Sequence, residues 1–434
     1  MKTNFTFALC LLFTLNSFAQ SYTSYRTGSA TSVEVIPLGG SCLMGGASES
    51  DEAMQWFLQR ANGGDVLVLR ASGSDGYNNY MYSELGVTVN SVETIVFNNS
   101  TASYDTYVLQ RIQEAEAIWF AGGDQWNYIS YWRDTEVQNL INNAVNFENL
   151  VIGGTSAGMA ILGRFYFSAE NGTITSAQAL ANPYDSDLTV PNAPFLNNWY
   201  LNDVITDTHY DDPDRRGRHT TFLARILADY SSAGFIHMKG IACDEYTAVC
   251  IDENGAARVF GDYPSFDDNA YFIQVNCELS DMLPETCEPN TPLHWDRGGQ
   301  ALKVYKVKGT TTGSNAFDLG DWKTGSGGTW EHWSVNNGTL VIEPGAQINC
   351  VLSVDEVTED TLQIFPNPVE NQLSITSKKP IQAIELLDSF GRMLTKKEVS
   401  NLQETSIDVT QLSSGTYFLK VTMNNAIMIK KVIK

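Results

Sequence analysis

The sequence predicts an α/β protein: a mostly parallel sheet with helices on both faces, followed by a small C-terminal β-sandwich. Three observations predict it. First, short apolar runs at residues 33–38, 65–69, 117–120 and 150–152 alternate with helically spaced segments at 51–61 and 137–145. Strands that are apolar on both faces belong to parallel sheets covered by helices. Second, three of these runs end in glycine-rich turns, Gly39-Gly40, Gly122-Gly123 and Gly153-Gly154, at the carboxyl ends of strands, where such sheets hold ligands. Third, the composition changes near residue 358. The last stretch carries 9 basic and 8 acidic residues, net +1, whereas the preceding body is net −24.

The 434 residues suit two or three domains at roughly 100–200 residues each. With 43 % hydrophobic and 18 % charged residues, the chain can bury a core. A formal net charge of −23 argues against nucleic acid or an anionic membrane as main partner, because both are bound through basic patches.

Residues 1–19 have Lys2 at the start, an apolar run over 7–15 that is too short to span a bilayer, and small Ser17 and Ala19 before a cleavage point. They read as a secretory signal peptide with a mature start at Gln20. No other stretch approaches about 18 apolar residues, so no transmembrane segment is expected. Removing the signal takes Cys10 and leaves Cys42, Cys243, Cys250, Cys277, Cys287 and Cys350. An exported chain permits disulfides, and Cys277 with Cys287, flanking a proline-containing loop, is the expected pair.

The glycine turns make neither GxGxxG nor a P-loop, and tight strand-to-helix turns need glycine anyway. There is no CxxC or HExxH, and the five histidines lack metal-ligand spacing, so neither a metal nor a cofactor is expected. Residues 309–354, rich in Gly, Thr and Trp, read as β-structure or loops closing the body, with the tryptophans packing. The expected domains are the signal at 1–19, the body at 20–357 and a strand-rich tail at 358–434.

The chemistry centres on Gly154-Thr155-Ser156-Ala157-Gly158. A GxSxG turn places its serine on a sharp bend between strand and helix, where larger flanking side chains would clash. Residues 150–152 supply the strand and 159–162 an apolar helix face. Serine needs an adjacent base, usually histidine, oriented by a carboxylate. His209 closes a further apolar run at Val204-Ile205, and Asp244-Glu245 follows another at 240–242.

The body, from about residue 33 to 305, resembles the cyanophycinase and dipeptidase E family of serine peptidases. The resemblance lies in Phe120-Ala121-Gly122-Gly123-Asp124-Gln125, the GxSxG at Ser156, Asp207-Thr208-His209-Tyr210 with Arg215-Arg216-Gly217-Arg218, and Asp244-Glu245-Tyr246-Thr247-Ala248. It implies a sheet sandwich like that of class I glutamine amidotransferases, with Ser156 as nucleophile, His209 as general base and Glu245 (failing that, Asp244) orienting it. The oxyanion hole would be the backbone N–H of Ala157 with one from Gly122-Gly123. Gln125, Asp207, Arg216 and Arg218 would line the substrate site.

Two features depart from the family's usual pattern. Asp-Thr-His-Tyr stands where Asp-Gln-His-Phe is common, and the acidic run 211–214 reads as an insertion before Arg215. The tail resembles the C-terminal sorting domain of type IX secretion cargo through Pro366-Asn367-Pro368, Gly415-Thr416-Tyr417 and the basic ending at 430–434.

The expected protein is therefore a secreted or cell-surface exopeptidase or isopeptidase acting on acidic or β-aspartyl-arginine peptides. Its expected partners are a peptide substrate, the type IX secretion machinery and a second copy in a homodimer. The alternatives are an inactive binding or adhesin protein on the same fold and an α-aspartyl dipeptidase. An amidotransferase-like enzyme would call for cysteine at position 156.

Overall fold

The structure is a computed structural model that describes residues 20–349, 362–387, 393–423 and 426–434; the expected signal peptide lies outside them. The chain divides into two units, Met1–Ile348 and Asn349–Lys434.

Among the described residues two sheets build the first unit. Its strands are β1 (Tyr22–Gly28), β2 (Ser41–Met44), β3 (Asp65–Arg70), β4 (Ser91–Phe97), β5 (Ala117–Phe120), β6 (Val151–Thr155), β7 (Val204–Asp207), β8 (Lys239–Cys243), β9 (Ala248–Ile251), β10 (Ala256–Tyr263), β11 (Asn269–Val275), β12 (Leu302–Lys308), β13 (Asn315–Asp318), β14 (Gly325–Ser326), β15 (Gly328–Asn336) and β16 (Thr339–Pro344). The larger sheet has the order β1-β4-β3-β5-β6-β2-β9-β10-β13-β14. Its centre, β4-β3-β5-β6-β2, is parallel, whereas β1 and the strands from β9 onward pair antiparallel. The second sheet, β16-β15-β12-β11-β8-β7, is antiparallel except for β7 with β8. The predicted parallel sheet is thus the core of a larger mixed one.

β3, β5 and β6 are buried along nearly their whole length because they are apolar on both faces. Trp119, Phe120 and Trp132 are fully buried among them, each contributing roughly 1.5–3 kcal/mol of hydrophobic stabilisation. Ser50 caps the helix Asp51–Arg60, and Asp124 caps the helix Gln125–Trp132, both through side-chain acceptors on backbone N–H groups.

Residues 33–38 form no strand. Ile36 and Leu38 stay exposed, and the strand at this place in the sheet is β2, a few residues later. The closing segment is β13 to β16, with Trp322 and Trp333 buried as packing residues. The expected Cys277–Cys287 pair is not made: Cys277 is disulfide-bonded, but Cys287 carries a free thiol. Sequence proximity says nothing about whether two Cβ vectors converge.

In the second unit β17 (Leu362–Phe365), β18 (Gln372–Leu387), β19 (Met393–Asp408), β20 (Thr416–Met423) and β21 (Ala426–Ile433) form one antiparallel sheet. Register shifts in the long β18–β19 pair bend it, and Leu373, Ile384, Leu419 and Val421 close over its own small core.

Candidate active site

The site sits where β6 of the larger sheet and β7 and β8 of the second one end. Ser156 leaves β6 with φ 52° and ψ −118° and leads directly into the short helix Ala157–Ala160. A non-glycine residue in this region is strained by about 1–3 kcal/mol. The flanking glycines explain how the bend packs. A Cβ on Gly154 would come within 2.6 Å of the Gly158 carbonyl carbon, and one on Gly158 within 2.1 Å of the Phe120 oxygen. The Ser156 N–H donates to the Met44 carbonyl at 3.1 Å, tying the bend to β2.

His209 lies two residues past β7, also with positive φ (46°). Its N–H donates to Gly45 O at 2.9 Å, and Gly46 leaves room for the ring: a Cβ there would stand 2.4 Å from His209 Nε2. The ring reaches Ser156 Oγ through Nε2 at 2.8 Å and Glu245 Oε1 through Nδ1 at 2.5 Å. An ionised carboxylate only accepts, so Nδ1 carries the proton and Nε2 is left to accept from the serine hydroxyl. The Glu245 backbone N–H donates to Asp211 Oδ1 at 2.9 Å. The acidic run 211–214 therefore braces the carboxylate-bearing turn, a part that sequence reasoning did not assign to it.

Asp244, the fallback acid, faces elsewhere. It is buried, and its Oδ2 accepts from the backbone N–H and the Nδ2 of Asn269 at 3.1 and 2.8 Å. Burial pushes its pKa up to about 7.

Gly122 packs against the serine: a Cβ there would lie 3.7 Å from Ser156 Cβ. Tyr128 OH donates to the Ala121 and Gly122 carbonyls at 3.0 Å. In a trans peptide the N–H points opposite to the carbonyl, so the Gly123 N–H is turned away from Tyr128. Gly123 and Ala157 both line a cavity of about 200 Å³ that opens on Ser156 and His209.

The rest of this cavity is a polar wall. Arg218 and Asp207 line it as a fully buried bidentate pair, Nε–Oδ2 2.9 Å and Nη2–Oδ1 2.5 Å. Burial alone would raise the Asp207 pKa, but the Arg218 guanidinium outweighs it and holds the carboxyl below its ordinary value. The Phe167 and Phe222 rings, 5.3 and 5.8 Å from the guanidinium carbon, fix Arg218 further. Gln125 also lines the cavity.

Arg216 does not. It turns onto Asp214 through Nε and Nη2 at 2.8 and 2.6 Å, and is partly exposed. Arg215, passed over in the sequence, lines the cavity instead. It opens the helix Arg216–Tyr230, where residues three apart share a face and a neighbour projects about 100° away. Arg215 and Arg218 therefore point together. Arg215 Nη1 donates to Thr208 O at 3.0 Å, while its buried Nε has no partner among the described residues. Burial, and Arg218 beside it, lower its pKa.

This fold and this geometry define a class. Peptidase family S51 matches residues 38–259, half of the chain, and the protein belongs to that family. A secretion system C-terminal sorting domain matches residues 363–434 and marks the chain for export to the cell surface or the extracellular space. Among curated relatives, the cyanophycinase of Synechococcus elongatus is 24 % identical over 226 residues, covering 50 % of this chain and 64 % of that protein. The cyanophycinase of Trichormus variabilis is 22 % identical over 243 residues, covering 54 % and 73 %. The chain thus spans just under two thirds of the length of the first of these relatives. A solved peptidase from an acI-B1 Actinobacterium is 13 % identical with a TM-score of 0.37, covering 54 % of this chain and 91 % of that one.

Proposed function

We propose that the protein is an exported serine peptidase in which Ser156 is the nucleophile, His209 the general base and Glu245 the residue that orients it. The observation that carries this reading is the hydrogen-bonded chain from Ser156 Oγ to His209 Nε2 and from Nδ1 to Glu245, built on a strained serine bend. Oγ attacks the scissile carbonyl as Nε2 takes its proton. The imidazolium, held by Glu245, then protonates the leaving amine, and a water activated by the same nitrogen releases the acid. The developing oxyanion is received by the N–H groups of Ala157 and Gly123. Each such donor is typically worth about 3–4 kcal/mol.

The acyl side of the substrate is acidic. Arg218 is already neutralised by Asp207, whereas Arg215 offers a desolvated donor edge with no carboxylate bonded to it among the described residues. A guanidinium so placed takes a carboxylate. The cavity of about 200 Å³ admits little more than one residue, which favours an exopeptidase or isopeptidase on aspartyl peptides, β-aspartyl-arginine included. The type IX secretion machinery is the partner that the tail would engage.

The purified mature protein, incubated with cyanophycin, β-aspartyl-arginine and α-aspartyl dipeptides, is expected to release amines from at least one, and Ser156→Ala is expected to abolish release. Turnover of α-aspartyl peptides alone would move the protein to the dipeptidase side. Absence of turnover, with no labelling by a fluorophosphonate probe, would replace the enzyme reading by a binding protein.

A further inference from the structure

β2 is the seam of the larger sheet, parallel to β6 on one side and antiparallel to β9 on the other. Cys42 on β2 and Cys250 on β9 stand directly opposite each other at that seam. Both are fully buried thiols, with their sulfur atoms 3.6 Å apart. Opposed residues in an antiparallel pair have Cα atoms about 4.5–5.5 Å apart, inside the span of about 4.4–6.8 Å that disulfides bridge. Closing the bond takes rotation of the two side chains about χ1 and a small approach of the two strands, since opposed Cβ atoms stand about 4.5–5.5 Å apart and disulfides hold them at about 3.5–4.5 Å.

We propose that Cys42 and Cys250 are the two halves of a cross-strand disulfide that closes as the exported chain folds. Export puts the chain where disulfides persist, and Cys277 already sits in one. The third buried thiol of this region, Cys243, is engaged differently: its Sγ lies 3.7 Å from the Leu43 carbonyl, as a donor. In the closing step the two thiols give up two protons and two electrons and form the S–S bond. The acceptor is the disulfide of a thiol–disulfide oxidant of the cell envelope, which leaves as a dithiol. Because the pair is sealed in the finished fold, the exchange precedes the final packing of β2 on β9.

The bond would link positions 208 residues apart, and long loops restrict the unfolded chain most. It would also pin the strand from which the site hangs. Met44, two residues past Cys42, receives the Ser156 N–H, and Gly45 receives that of His209.

The full-length exported protein, purified without reductant, is denatured in iodoacetamide, digested and mapped by mass spectrometry. The Cys42 and Cys250 peptides are expected as one linked species, two hydrogens lighter than their sum. Alkylation of both, or linkage of either to another cysteine, overturns the proposal. Thermal unfolding with and without dithiothreitol, compared between the wild type and C42A/C250A, gives a second readout. The reductant also breaks the Cys277 bond, but it does so in both proteins. A midpoint loss several degrees larger in the wild type is expected, and equal losses overturn the proposal.

Discussion

The cavity has two walls built in different ways. One is backbone: the Gly154–Gly158 bend and the Gly122-Gly123 turn, where contacts of 2.1–2.6 Å from any added Cβ leave no choice of residue at 154 and 158. The other is side chain: Arg215 and Arg218, aimed by the start of one helix, and Asp207 at the end of β7, with Arg218 held between two aromatic rings. The first wall carries the proposed chemistry and the second the proposed choice of substrate. A backbone wall tolerates almost no substitution, whereas a side-chain wall can be retuned one residue at a time.

Removing the nucleophile tests the first wall hardest. Ser156→Ala is expected to lower kcat/KM by about a thousandfold or more, read as amine release from aspartyl peptides, with the fold retained by circular dichroism. Wild-type turnover in that variant would break the assignment.

The second wall is tested by a pair of variants. Arg215→Ala should raise KM for acidic substrates by about ten- to a hundredfold, the loss of one charge-assisted contact. Arg216→Ala should leave kcat/KM within about twofold, because its exposed pair with Asp214 is of a kind worth at most about 1 kcal/mol. Equal effects in the two variants would show that the wall is drawn wrongly.

Asp211 joins the acidic loop to the chemistry. Asp211→Ala removes the acceptor under the Glu245 N–H and is expected to lower kcat several-fold. Asp211→Asn keeps an acceptor oxygen and should recover most of the loss. A kcat equal to wild type in the alanine variant would leave the brace without a role.

The smallest effect is on stability. The Asp244 carboxyl titrates near 3.8 in the ordinary case and at about 7 when buried here. Between those values the folded protein holds a proton that the unfolded chain has released, so this group makes stability fall as pH rises towards 7, with no further change above it. Glu116, also pushed up to about 7 by burial, adds a slope of the same sign that any Asp244 variant retains. Asp244→Asn should therefore gain stability relative to wild type on going from pH 5 to pH 8 in urea titrations. An unchanged difference would place the Asp244 carboxyl outside the titrating set.

What was legible in the sequence was whatever short-range rules encode. Apolar runs of three to five residues became β3, β5 and β6 because burial on both faces leaves them no polar alternative. GxSxG marked the serine bend because only glycine fits beside it. Ser156, His209 and Glu245, named from separate motifs, are brought within hydrogen-bond reach. The change in charge near residue 358 lies close to where the second unit begins.

What only the tertiary structure decided was direction and partnership. The run at 33–38 is apolar but finds no place in the sheet, which takes β2 instead. Arg216 was expected in the cavity, yet the helix turn gives that place to Arg215. Cys287 lies ten residues from Cys277 in the chain and stays a free thiol, whereas Cys42 and Cys250, 208 positions apart, touch. Local rules reach a few residues along the chain. Which side chains converge depends on strand order and helix phase, and these are set only when the whole core packs.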